Sequence, residues 1–292
     1  MSTPSSVRPI EPDVALRWGA CTDAGGRPRN EDGHLAERPV FLVADGMGGH
    51  EDGQAAAREV VAAFRPLAGD DWLTASDLRR AIRAASDRVA ALARGGRLPG
   101  STIAGAVLTQ DAGQAGWLVF NIGDSRVYRM GADDPLEQIS VDHSHVQEML
   151  ESGRLTRSTA QGHARRNVIT RALGAGMRGV PEADQWLVPV TAGDRLVICT
   201  DGLTTEVTDP LIAATLLSVA DPEDAARALV QAALDAGGRD NVTVIVIDVV
   251  SGAADPTTGP RTTEITLDRL PPVDLEATTI PARRGVDRRR GH

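Results

Sequence analysis

No lysine occurs anywhere in this 292-residue chain, and all 31 of its cationic side chains are arginines. A Walker-type phosphate loop, a Schiff-base enzyme and a protein kinase each require a specific lysine amine, so the absence excludes all three. Cysteine is nearly absent as well. Cys21 and Cys199 lie far apart without C-x-x-C spacing, which leaves no disulfide framework and no zinc knuckle, and both are read as buried small apolar residues. No stretch approaches the roughly 20 apolar residues of a membrane helix. The opening MSTPSSVRPIEPDV has no apolar run that could serve as a signal sequence, so a cytoplasmic protein with no membrane contact is expected. Positive charge is in deficit too: a net charge of −9 argues against a nucleic-acid surface, which depends on clustered cations. The basic RRGVDRRR near the end of the chain reads as a solvated tail.

With 41% apolar residues, the chain can bury one large core. Residues 14–250 carry the organised patterning and read as one domain. The Ser/Pro-rich leader, 1–13, and the Thr/Pro/Arg-rich segment 251–292 have the composition of disordered tails. Thr262, Thr263, Thr266, Thr278 and Thr279 in the latter are open to a kinase, or simply belong to a linker. Short apolar, β-branched runs bounded by Gly or Asp predict strands at 40–46, 101–109, 116–124, 195–202 and 241–250. Three- and four-residue apolar steps predict helices at 53–67, at 76–95 with Ser76 as cap, and at 223–237 opened by Asp221 and Pro222. Strands cluster and helices come in pairs rather than alternating. That pattern predicts packed antiparallel sheets with helices outside them, not a doubly wound parallel sheet.

Carboxylates recur where these strands end. VFLVAD stops at Asp45, LVICTD at Asp201 and LVFNIGD at Asp124, while Asp240 immediately precedes NVTVIVIDV. One Asp-Gly after a strand means only a tight turn. Four such aspartates, with glycines at 46, 48, 49 and 202 allowing close backbone approach, imply like charges that need a cation between them. Oxygen-only ligands suit hard ions such as Mg²⁺ or Mn²⁺.

The stretch CTDAGGRPRNEDGH, 21–34, admits two chemistries. Cys21 and Arg27 have the C-x5-R spacing of a thiolate phosphatase, but Ala20 precedes the cysteine and Pro28 follows the arginine, where such a loop has a histidine and a helix. Arg27 followed by Asn30, Glu31 and Asp32 suggests instead a phosphate-holding arginine beside metal-organising carboxylates. A second decoy is Asp142, His143 and His145, part of a hydrolase-like zinc set with no further Asp-His pair to complete it.

RPRNED (27–32), VADGMGGH (43–50), GST (100–102), NIGDSRVYR (121–129), DHSHVQEMLESGRLT (142–156), RRNVITRALG (165–174), CTDGLTTEV (199–207) and GGRDNVTVIVI (237–247) occur in that order. Together they resemble the bacterial branch of the metal-dependent 2C-type Ser/Thr protein phosphatases, over roughly residues 14–250. The resemblance implies an α+β, four-layer αββα sandwich, with two central antiparallel β-sheets flanked by helices. It implies hydrolysis of phosphoserine and phosphothreonine in proteins by a metal-bridging hydroxide, reversing a Ser/Thr kinase, in an enzyme expected to be a monomer. The implied cofactors are two core Mn²⁺ or Mg²⁺ ions and a third, weaker one. Asp45 would bridge the core pair, Asp201 and Asp240 would complete the first ion, and the Gly46 carbonyl, with Glu31 acting through water, would serve the second. Arg27 would grip the phosphate, and Asp124 would join Asp201 at the third ion. Residues 141–173 would form a flap. Met47 stands where the animal branch has a histidine acid, and neighbouring His50 reads as a surface residue. Two rivals stay open: a phosphoprotein-binding scaffold without turnover, and a Mg²⁺-dependent nuclease or phosphodiesterase.

Overall fold

The structure is a computed structural model that describes residues 14–48, 51–111, 114–156, 159, 163, 165, 168–177 and 179–252. The tail threonines and His50 lie outside these residues. Twelve strands are described: β1 (Ala15–Asp23), β2 (Asp32–Glu37), β3 (Val40–Met47), β4 (Gly100–Ser101), β5 (Ile103–Asp111), β6 (Gln114–Ile122), β7 (Arg126–Met130), β8 (Glu137–Gln138), β9 (Leu173–Gly174), β10 (Asp184–Pro189), β11 (Arg195–Cys199) and β12 (Val242–Ser251). The described helices are α1 (Glu51–Phe64), α2 (Ala75–Ala90), α3 (His145–Glu151), α4 (Asp201–Thr204), α5 (Asp209–Ser218) and α6 (Pro222–Asp235), with a 3-10 turn at Arg65–Leu67. Among the described residues, no helix is long and apolar enough to cross a membrane.

The strands form two antiparallel sheets. One runs β1-β12-β11-β7-β8; the other runs β10-β6-β5-β3-β4-β9, with β2 also paired to β3. Period-two alternation divides each strand between two cores. In β3, Phe41 and Val43, with Trp117 of the same sheet, face the other sheet, where they meet Ile198, Ile245 and Ile247. Val40, Leu42 and Ala44 point the opposite way, onto α1 and α2. In β12, Val242, Val244 and Val246 turn outward onto α5 and α6. Three stacked apolar layers thus produce the expected four-layer αββα sandwich.

Several element limits differ from those read in the sequence. The first helix stops at Phe64, because Pro66 tightens the following turn into a 3-10 geometry. The second starts at Thr74, not Ser76: the Thr74 hydroxyl accepts from the Asp77 N–H, and the Asp77 carboxylate accepts from the Thr74 N–H, a reciprocal cap. It ends at Ala90, several residues short of Gly95. Helix α5 has no counterpart among the predicted elements, since DPLIAATLLS is apolar on every face and shows no helical stripe. Cys199 is fully buried as expected, but Cys21 is only partly covered, on the face of β1 that lies against the helices.

Candidate metal centre

One rim of the sandwich collects the carboxylates because of strand direction. β3 and β11 end there, β2 and β12 begin there, and β6 turns into β7 there. Antiparallel pairing places Asp32, the first residue of β2, directly opposite Asp45 in β3. Two carboxylates facing each other across a ladder repel. Asp201 opens α4 straight after β11, and Asp240 precedes β12, whose Val244 pairs with Cys199.

Asn241 holds the Arg27 loop to this rim. Its side-chain amide donates to the Ala24 and Arg29 carbonyls at 2.9 and 2.8 Å, and its Oδ1 accepts from the Glu31 N–H at 2.8 Å. Arg27 consequently reaches Asp240, Nη2 to Oδ2 at 2.8 Å, while its Nε donates to the Arg239 carbonyl at 3.2 Å. The rest of its side chain is open to solvent, 55% exposed, and can receive an anion. Glu31 is placed beside Gly46: a Cβ on Gly53 would lie 2.1 Å from Glu31 Oε2 and 2.8 Å from the Gly46 carbonyl oxygen, so only glycine fits under that carboxylate.

Burial and mutual repulsion dominate the electrostatics. Burial, then the charges of Asp32, Asp201, Asp124 and Asp240, hold the Asp45 carboxyl well above its usual range. Burial is also the largest cause at Asp32, pushed up to about 7 although Thr243 and Thr200 hydroxyls donate to its Oδ2 at 2.7 and 2.9 Å. Asp201 rises to about 6 through burial and the Asp240 charge, offset by a hydrogen bond with Asp45. Asp124, 8% exposed, rises to about 8 through burial and the charges of Asp201 and Asp142.

Among the described residues, no three His, Cys, Asp or Glu side chains close on one point as a finished cage. Asp240 is held by Arg27. The donor set nevertheless fits a hard cation. Asp32 Oδ1, Asp124 Oδ1 and Asp201 Oδ1 are buried with no hydrogen-bond partner, and a buried carboxylate oxygen without one is costly. Crowded, partly orphaned, all-oxygen carboxylates whose protons are hard to lose are what a divalent ion relieves.

All the residues singled out in the sequence, Arg27, Glu31, Asp45, Gly46, Asp124, Asp201 and Asp240, lie on this rim. The ligand set implied by the resemblance omits Asp32, which the sequence reading placed among the carboxylates beside Arg27, and both omit Asn241, Thr200 and Thr243, which orient the loop and Asp32. RNED and DNVT contain several of them, yet only the β2–β3 and β11–β12 pairings show what they face. The decoys dissolve. Asp142 is tied to Arg126 by a fork of bonds at 2.7 to 3.1 Å, and His143 points at Gly123 and Asp184, so the two do not converge on an ion. That fork leaves Arg126 paired in a partly buried position, its side chain 26% exposed. The Cys21 thiol is raised by burial, the opposite of an activated thiolate.

Beside Asp124 and Asp201 opens a groove of about 630 Å³ between α3 and the 204–210 turn, with Asp142, Gln147, Leu150 and Arg239 in its walls.

A family profile described as Protein phosphatase 2C matches residues 21–235. The chain is 32% identical over 239 residues to the serine/threonine phosphatase Stp of Listeria innocua, covering 77% of this chain and 89% of that protein. It is 38% identical over 244 residues to the serine/threonine protein phosphatase PstP of Mycobacterium tuberculosis, covering 81% of this chain but only 46% of PstP, so it spans about half the length of that relative. The crystal structure of the PstP catalytic domain in complex with two manganese ions superposes with a TM-score of 0.70 at 34% identity, over 82% of this chain and all of that domain.

Proposed function

The chain belongs to the protein phosphatase 2C family, and from that premise we propose that it is a metal-dependent serine/threonine protein phosphatase that hydrolyses phosphoserine and phosphothreonine in proteins. The observation that carries the reading is the single rim on which Asp32, Asp45, Asp201 and Asp240 crowd around orphaned carboxylate oxygens beside a half-open arginine.

Asp45, Asp201 and Asp240, with the Gly46 carbonyl and Glu31, would hold two Mn²⁺ or Mg²⁺ ions, and Asp124 with Asp201 a third, weaker one. Bound there, divalent cations supply Lewis acidity: they ease ionisation of an attacking water and neutralise the phosphoryl oxygens during in-line displacement. Arg27 presents its free N–H groups to the phosphate while Asp240 and the Arg239 carbonyl fix its direction. Asp32, held by two threonine hydroxyls and directly opposite Asp45, adds a further carboxylate beside the cation site. Cys21 takes no part. The same reading places the enzyme in the cytoplasm as a monomer acting against a Ser/Thr kinase.

Asn at Asp45, Asp201 or Asp240 is expected to lower kcat on a phosphothreonine peptide by at least about a thousandfold, the scale of losing a metal-based stabilising term. EDTA should abolish turnover and added Mn²⁺ restore it. Near wild-type turnover in any of the three variants sinks the assignment. Cleavage of plasmid DNA in place of phosphopeptide would favour the nuclease instead.

A further inference from the structure

The His143 ring is almost fully buried, 7% exposed, at the base of the flap, and the catalytic scheme above gives it no task. Its Nδ1 accepts from the Gly123 N–H at 3.0 Å, which assigns the proton of the neutral ring to Nε2. That Nε2 lies 3.3 Å from Asp184 Oδ2 without a hydrogen bond between them, and the other Asp184 oxygen accepts from Arg171 Nη1 at 2.8 Å. The His143 backbone repeats the connection: its N–H donates to the Gly123 carbonyl at 2.8 Å, and its carbonyl accepts from the Thr170 N–H at 2.8 Å. Fully buried Asn121 donates its amide to the same Gly123 carbonyl and to the Val141 carbonyl, each at 3.0 Å.

Gly123 is therefore held on both faces of its residue, at a φ of +118° that side-chain-bearing residues rarely adopt; a Cβ there would stand 2.6 Å from Thr102 Cγ2. The next residue is Asp124, with its unpartnered Oδ1. Through its ring and its backbone together, His143 thus joins three segments: the end of β6 that aims Asp124, the incoming leg of the flap at 142–145, and its outgoing leg at 168–171. Ser144 and Ile169 form a bridge between the two legs, and the His145 N–H donates to the Val168 carbonyl at 2.9 Å.

We infer that His143 is a positioning residue that couples the flap to the third cation site by locking the Gly123 peptide and thereby the direction of Asp124. The inference rests on the reading of Asp124 as a ligand of that weaker ion. Movement of either flap leg is passed through the His143 backbone and ring to Gly123, so occupation of the groove beside α3 and binding of the weaker ion favour one another.

Two substitutions separate the ring's two contacts. H143N keeps an acceptor near the position of Nδ1 and gives up the arm to Asp184, whereas H143Q reaches toward Asp184 and gives up Gly123. Mn²⁺ binding by calorimetry, with D124A as control, and amide hydrogen exchange of Gly123 in EDTA are the readouts. H143Q is expected to keep the two tighter ions, weaken the third by about tenfold to a hundredfold, and exchange the Gly123 amide faster. H143N should hold the weaker ion and the Gly123 protection close to wild type. H143Q retaining a weaker ion that D124A loses overturns the inference alone. D124A retaining that ion overturns the reading of Asp124, and the inference with it. Because H143Q fills a buried site and can fail to fold, H143N is a second, independent test: a folded H143N that loses the weaker ion overturns the coupling through Nδ1.

Discussion

Asp32, Asp45, Asp124 and Asp201 illustrate how one residue type acquires different properties within a single site. Each starts from a carboxyl that ordinarily titrates near 3.8, and burial is the largest cause of its rise: to about 7 at Asp32, about 6 at Asp201 and about 8 at Asp124. A carboxyl whose folded value lies above its unfolded value stabilises the fold at low pH and loses that contribution as pH rises through the folded value. Metal-stripped protein should therefore lose stability between about pH 4 and pH 8, and Mn²⁺ should reverse the loss. Thermal midpoints in EDTA and in Mn²⁺, taken at pH 5 and pH 8, check this; a larger Mn²⁺ increment at pH 5 would contradict it. At Cys21 burial acts in the same direction, keeping the thiol protonated and so unreactive. Cys21→Ala is expected to retain wild-type turnover, and a folded but inactive variant would revive the thiol chemistry suggested by the C-x5-R spacing.

At the scale of elements, α2 and α4 have contrasting duties. Helix α2 covers the outer face of the β3 sheet with Leu78, Ile82, Ala85 and Val89, and its Thr74–Asp77 cap lies outside the rim residues. Thr74→Ala should cost about 1 kcal/mol, a fall in thermal midpoint of roughly 2–4 °C, with kcat unchanged. Helix α4 is only four residues long, but it aims Asp201. A Cβ on its second residue, Gly202, would lie 1.9 Å from the Asn241 carbonyl oxygen, so α4 and the start of β12 meet backbone to backbone. Gly202→Ala must force them apart and move Asp201 relative to Asp240. Turnover should fall far more than stability, and a variant with normal kcat would show that this contact does not set the carboxylate spacing.

On the scale of the whole molecule, the sheet edge at β1 closes the domain. β1 pairs with β12 as far as Ala15 opposite Ser251, and the Ala15 N–H also donates to the Ser251 hydroxyl at 3.2 Å. β12 thus reaches one residue past the boundary expected at 250, and the described strands of both sheets lie between Ala15 and Ser251. Deleting 253–292 is expected to leave the thermal midpoint and turnover of a small aryl phosphate unchanged. Unfolding or inactivation on truncation would make the tail part of the catalytic body.

The sequence by itself determined what depends on neighbours a few positions apart. Alternation in VFLVAD and NVTVIVIDV marked strands with two covered faces, and the aspartates at their ends marked a charged rim. The lack of lysine removed whole classes of phosphate chemistry. Helix α5 escaped because a segment apolar on all sides has no period to detect. Tertiary structure alone decided which distant groups meet: Asp32 opposite Asp45, Asn241 clasping the loop around Arg27, and His143 joined to Gly123 and Thr170. Such contacts follow from strand register and loop closure. A one-residue slip turns every side chain to the other face, so no local spacing encodes which carboxylate an amide or hydroxyl roughly 200 residues away will reach.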